Sequence, residues 1–300
     1  MPLSLAQLSG SNFSYQHRPL DECFDDMAAL GRTAVELWGI APQLHVPWLS
    51  DAEARAVRRA AAARGLETVC FTPEQVIYPV NIASPDTRLR ASSVAMFRRA
   101  AELAVELGAP TLFLTPGRGF EGGAEGADGA GGGGGAGVGP GAPADVGGAA
   151  WRRSADAIGE ICDWAGRLGL ECLLEPLQRV ESNLVNSAAD AARMLADVAA
   201  PNLGVALDTV AMAVAGDTVD GYFETLGDRV RHVHLIDGAP AGHLAWGDGE
   251  LPLAEILAAL DRRGYDGWMT VELFGDGGYA LDPRPALERS YAAIGAALPH

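Results

Sequence analysis

Short apolar runs alternate with amphipathic helical stretches along almost the whole of this chain. That alternation is best satisfied by strands lying parallel, with helices returning along the outside. Strand-like runs are expected at 33–38 (TAVELW), 66–72 (LETVCFT), 111–115 (TLFLT), 170–175 (LECLLE), 203–208 (LGVALD), 230–236 (VRHVHLI) and 267–273 (GWMTVEL). A weaker first strand falls within 3–13. Most of these runs are apolar almost throughout, as strands covered on both faces should be. Between them, Leu253, Ile256, Leu257 and Leu260 share one helical face in 252–263, and Leu287, Tyr291, Ile294 and Leu298 share one in 283–298. Residues 87–107 read as a long helix through Val94, Phe97, Ala101 and Val105. Ser187 followed by Asp190 marks a helix start, and Gly31, Gly65, Gly108, Gly169 and Gly264 mark stops shortly before the next strand.

Eight strand–helix units in a regular rhythm favour a closed (β/α)8 TIM barrel over an open sheet. The open, doubly wound alternative would carry a glycine-rich turn after its first strand, and none is present. A barrel of this kind takes about 250 residues. The 300-residue chain therefore reads as a single domain, 1–300, with an insertion. The insertion is 121–149, where 14 of 29 positions are glycine, accompanied by Glu121, Glu125, Asp128 and Asp145 and by no base. Such a composition cannot bury a core and is expected to be disordered. It follows the fourth strand, on the face where barrel active sites lie. A tolerated surface insertion is favoured over a lid, because lengthening a loop costs little. No G-K-[ST] follows the glycines, which disfavours a phosphate cradle.

Composition excludes several classes of function. Thirty-nine acidic residues against 22 basic ones leave a net charge of −17, which disfavours nucleic acid and anionic membrane as partners. No apolar run approaches the ~18–20 residues of a membrane span, and the N-terminus has no signal-like pattern. Cys23, Cys70, Cys162 and Cys172 form no C-x-x-C pair. They read as buried free thiols of a cytoplasmic protein.

Four residues stand near the C-terminal ends of strand-like runs: Glu175 in LLEPL, Asp208 in VALDT, His234 in HVHLID and Glu272 in MTVEL. Charged groups at the ends of apolar runs are costly unless they have a use. Three carboxylates and one imidazole form a hard, oxygen-rich ligand set for a divalent metal. In a parallel barrel these ends converge on one face. His232 and His234 share a strand face, as do Thr270 and Glu272. His234, nearer the rim, is the expected ligand, and His232 is left to barrel packing.

In this order and at this spacing, the four residues resemble the signature of the xylose-isomerase-like barrels: Glu on strand five, Asp on six, His on seven and Glu on eight. The resemblance covers nearly the whole chain outside 121–149. Within the family the chain resembles the ketose 3-epimerases and fructoselysine 3-epimerases. The runs that carry this are VELWG (35–39), FTPEQVIYPVN (71–81), LEPLQRVESNLVN (174–186) and RHVHLID with the later GDGELPL (within 231–253). The resemblance implies a divalent-metal enzyme, with Mn²⁺ expected and Mg²⁺ or Co²⁺ as alternatives. The implied reaction is C3 epimerisation of a ketose or ketose-amine through a metal-stabilised enediolate. Glu175 and Glu272 would be acid and base on opposite faces of the substrate, and Asp208 and His234 ligands only.

Glu181 matches a family glutamate that contacts substrate, with Arg179 and Asn183 beside it to orient hydroxyls. Asp237 is a candidate partner for a ligand. Trp38, Tyr78 and Trp246 are candidate pocket walls, and His243 could reach substrate or hold its loop. Two positions depart from the free-sugar 3-epimerases. Ala211 and Pro240 stand where those enzymes carry a histidine and an arginine that touch substrate, which points away from psicose- or tagatose-type substrates. The fructoselysine type also has alanine at the first of these positions. The competing reaction is a lyase or dehydratase, inosose dehydratase-like, built on the same four ligands. A non-enzymatic sugar-binding barrel would not need opposed glutamates. A nuclease of this barrel class would need more than the six histidines present. Related barrels are often dimers or tetramers, so a homo-oligomer is the expected assembly.

Overall fold

The structure, a computed structural model, describes residues 2–120, 148–274 and 278–299. Its strands are β1 (Leu8–Ser11), β2 (Ala34–Gly39), β3 (Glu67–Pro73), β4 (Thr111–Leu114), β5 (Glu171–Leu174), β6 (Leu203–Asp208), β7 (Val230–His234) and β8 (Trp268–Val271). All pair in parallel and in sequence order, and β8 returns to β1 with Leu8 opposite Met269 and Gly10 opposite Val271. The ring is therefore closed and has no free edge. The glycine-rich segment expected at 121–149 lies outside the described residues, apart from Gly148 and Ala149. These two cap and begin the helix that follows β4.

The helices are α1 (Leu20–Ala29), α2 (Asp51–Ala62), α3 (Thr87–Leu107), α4 (Ala149–Arg167), α5 (Ala188–Val198), α6 (Thr209–Ala215), α7 (Val219–Leu226), α8 (Leu253–Arg262) and α9 (Pro283–Ala297). Their ends follow from local chemistry. Ser187 Oγ accepts from Asp190 N at 3.2 Å and caps α5. Gly108, at φ 79°, ends α3 in the left-handed region that other residues enter only at a cost. β7 is two residues shorter than the apolar run suggests. Ile236 N is taken by Thr209 Oγ1 at 3.0 Å, so the chain leaves the sheet after His234.

Most of the hydrophobic core lies between the strand backs and the helices, with Phe24, Phe97, Ile158, Leu207, Leu257 and Leu287 among its members. Inside the barrel a smaller cluster of Cys70, Phe113, Leu173 and Ala206 forms a floor. The four cysteines are buried and free, as expected. Among the described residues no helix is long and apolar enough to cross a membrane. The register of β6 against β7 shifts between Val205 and Ala206, after which Ala206 faces His232 and Asp208 faces His234. This irregularity sets an aspartate beside an imidazole at the strand ends.

Candidate active site

Strand alternation sends every second residue into the barrel, and the inward positions at the C-terminal ends are polar. Asp208 and His234 close β6 and β7, while Glu175 and Glu272 stand one residue beyond β5 and β8. All four are buried. Each offers a ligand atom, and these atoms lie within 4.8 Å of one another. His234 Nδ1 is 2.8 Å from Glu175 Oε1 and 3.2 Å from Glu272 Oε2. Asp208 Oδ1 accepts from Ala211 N at 2.6 Å and so caps α6. Its other oxygen, Oδ2, and Glu272 Oε1 are buried without a hydrogen-bond partner among the described residues. Buried acceptors left unmatched are expensive, and a cation shared by the four residues would satisfy both. Oxygen-rich donors with one imidazole fit a hard divalent ion.

A second layer lies beneath. Glu36, from the middle of β2, is fully buried, and both its oxygens are 3.3 Å from His234 Nε2. It also lies 2.9 Å from His232 Nε2 and accepts from Thr72 Oγ1 at 2.5 Å. His232 in turn meets Thr270 Oγ1 at 3.0 Å. A carboxylate on the far nitrogen of a ligating histidine fixes its tautomer and its ring. Phe113 stacks on that ring at 4.9 Å. Sequence reading passed over Glu36, although an acid inside the apolar run AVELW was the available signal.

The electrostatics divide the carboxylates. Burial pushes Glu175 up; His234 opposes this, the charges of Glu272 and Asp208 add to it, and the result is about 8. Asp208 is also raised, chiefly by burial. Burial would raise Glu272 too, but His234 and His243 outweigh it and hold this carboxyl below its ordinary value. Glu36 is held well below the usual carboxylate range, its burial overcome by His234 and His232. Burial disfavours charge on His243, but its bond to Glu272 and the nearby acids raise it to about 9.

Three of the four, Glu175, Asp208 and Glu272, line a pocket that Trp38, Glu181 and His243 also line. His243 Nε2 is 3.3 Å from Glu272 Oε2, and its ring stacks on Phe274 at 3.7 Å. Trp38 meets Phe13 and Phe274 edge-on, and its Nε1 is buried without a hydrogen-bond partner among the described residues. Glu181 Oε2 accepts from Gln178 N at 3.1 Å. Other expected residues lie elsewhere. Trp246 is a core residue whose Nε1 donates to Leu235 O at 3.0 Å. Tyr78 packs on His45, and its hydroxyl accepts from Ala41 N. Asn183 ties the loop after β5 to Gly119 through both its amide atoms. Arg179 is exposed on the same loop. Among the described residues Asp237 makes no hydrogen bond to the four convergent residues; it accepts from the backbone N–H groups of Gly238, Gly247, Gly249 and Leu251 and so holds the loop that carries His243. Phe13, Glu74, Phe113 and Phe274 line the pocket and were not foreseen. Of these, Glu74 carried a readable signal, an acid at the end of an apolar strand.

Comparison with known proteins agrees with this architecture. The chain is 32% identical over 287 residues to fructoselysine 3-epimerase of Escherichia coli O157:H7, covering 93% of this chain and 95% of that protein. It is 28% identical over 231 residues to D-psicose 3-epimerase of Agrobacterium fabrum, covering 77% and 72%. Solved structures share the fold. D-psicose 3-epimerase from Clostridium cellulolyticum H10, determined with D-tagatose, superposes with a TM-score of 0.76 at 18% identity, covering 97% of this chain and 99% of that one. An L-ribulose 3-epimerase does so at 0.77 and 20%, covering 98% and 94%. The family model described as xylose isomerase-like TIM barrel matches residues 24–295. With that match running nearly end to end over a barrel that closes in sequence order, this chain belongs to the xylose isomerase-like TIM barrel family.

Proposed function

We propose that the protein is a divalent-metal-dependent sugar epimerase that inverts C3 of a ketose or ketose-amine. The observation that carries this reading is the convergence of Glu175, Asp208, His234 and Glu272, with two buried carboxylate oxygens left unmatched. These four would hold the cation, with Mn²⁺ favoured by the mix of three carboxylates and one imidazole. When bound, such an ion polarises the substrate carbonyl and favours the negative charge that develops on its oxygen.

The two glutamates would do the proton work. They leave strands three apart in the ring, β5 and β8, and so reach the substrate from different sides. One carboxylate takes the proton from C3, giving the enediolate of the substrate. The other delivers a proton to the opposite face of that carbon. Without the cation, their environments push their proton affinities apart, Glu175 up and Glu272 down, so the two carboxyls are electrostatically inequivalent. Glu36 and His232 hold His234 in place, and the unpartnered Trp38 N–H is available to a substrate hydroxyl. The sequence contains no lysine, since 22 arginines account for all its Lys and Arg. A lysine Schiff base is therefore not a route to the carbanion.

The test is incubation of the Mn²⁺-loaded protein with ketoses and ketose-amines in heavy water. Deuterium at C3 of recovered substrate and of its epimer, without loss of water, is the expected result. An unsaturated or dicarbonyl product would instead identify a lyase. Glu175→Gln and Glu272→Gln should each lower turnover by about 10²–10⁴-fold, the usual contribution of a positioned acid or base.

A further inference from the structure

The pocket holds two acids that neither the ligand set nor the proposed chemistry uses, Glu181 on the loop after β5 and Glu74. Glu74 follows β3 directly, is only 5% exposed and lines the pocket. Its Oε1 accepts from Val76 N at 2.6 Å and Ile77 N at 3.0 Å, which fixes the turn and the direction of the carboxylate. No arginine or histidine among the described residues forms an ion pair with it. A carboxylate this buried is costly without a cationic partner.

Its neighbours do not supply one. Among the described residues, Glu74, Glu175, Glu181, Asp208 and Glu272 line the pocket, against a single basic side chain, His243. A divalent cation on the ligand set and a proton on His243 together still leave this lining negative. A pocket of one sign concentrates ligands of the other. The geometry points to Glu74 as a specificity residue that selects substrates bearing a protonated amine over neutral ketoses. This assignment rests on the epimerase reading for the identity of the reacting sugar, while the charge preference can be measured apart from turnover.

Two measurements test it on the full-length, Mn²⁺-loaded protein. The first compares 1-deoxy-1-propylamino-D-fructose with its neutral N-acetyl derivative and with D-fructose, reading kcat and KM from C3 deuteration. Wild type should favour the amine over the amide by tenfold or more. Glu74→Gln keeps an acceptor oxygen for the turn but removes the charge. It should lower kcat/KM for the amine by about 10–100-fold, the worth of one charge-assisted hydrogen bond. The loss should appear in KM, with D-fructose changed less than about threefold, and Glu74→Asp should restore part of the preference. The second is calorimetric binding of protonated N-methylglucamine against sorbitol, neither of which can react. Tighter binding of the amine, lost in Glu74→Gln, supports the assignment even on a protein that turns over no ketose. Equal binding, equal losses on amine and D-fructose, or a wild type that epimerises ketoses without favouring the amine would overturn it and leave the epimerase reading standing.

Discussion

Glu175 and Glu272 are chemically identical side chains in opposite electrostatic settings, and that difference can be measured. Metal binding must displace the proton that burial and neighbouring acids hold on Glu175 up to about 8, and also any proton on His234, which its acidic neighbours raise despite burial. The sign follows directly. Apparent metal affinity should fall by about tenfold or more per pH unit as pH drops below 8. Calorimetry at pH 7 in buffers of different ionisation enthalpy should show net proton release on metal addition. Glu36 acts one layer further in. Glu36→Gln keeps the shape but weakens the hold on His234 Nε2, and should reduce metal affinity by about 10–100-fold. A metal titration reads this, with circular dichroism confirming an unchanged fold.

Among the connecting elements, the segment after β7 is the one that the site depends on most. Asp237 gathers four backbone N–H groups between Gly238 and Leu251, and a Cβ on Gly249 would meet Asp237 Oδ1 at 2.4 Å. The loop is therefore tied to a buried anion and presents His243 from a fixed base. Asp237→Ala leaves those N–H groups without their acceptor and should destabilise the protein by about 1–3 kcal/mol. Denaturant unfolding measures that cost, and faster amide exchange confined to 237–251 would locate it.

Across the whole molecule, the proposed metal joins four adjacent strands, β5 to β8, at one end of the barrel. An ion that binds only the folded chain should raise stability by about 2.7 kcal/mol at a hundredfold excess over its Kd. The midpoint of thermal unfolding should rise with Mn²⁺ and fall again with chelator, and Asp208→Ala should abolish the difference.

The barrel and the four residues that converge at its mouth were legible because both rest on local rules. Apolar runs separated by capped helices and glycine stops give the order of elements, and an acid or imidazole at a run's end stands out because burial penalises it. Trp246 and Tyr78 could not be assigned this way. An aromatic residue near a strand end reads the same whether it faces core or cavity, and long-range partners such as Leu235 O and Ala41 N made the difference. Glu36 was hidden for a related reason: its value lies in a histidine 198 residues away. Pattern along the chain thus determined the fold class and which four residues converge, since strand periodicity and desolvation cost act on each segment by itself. The second layer behind His234 and the stacking of His243 over Phe274 beside Glu272 emerged only when the ring closed, because each depends on groups that closure alone brings within reach.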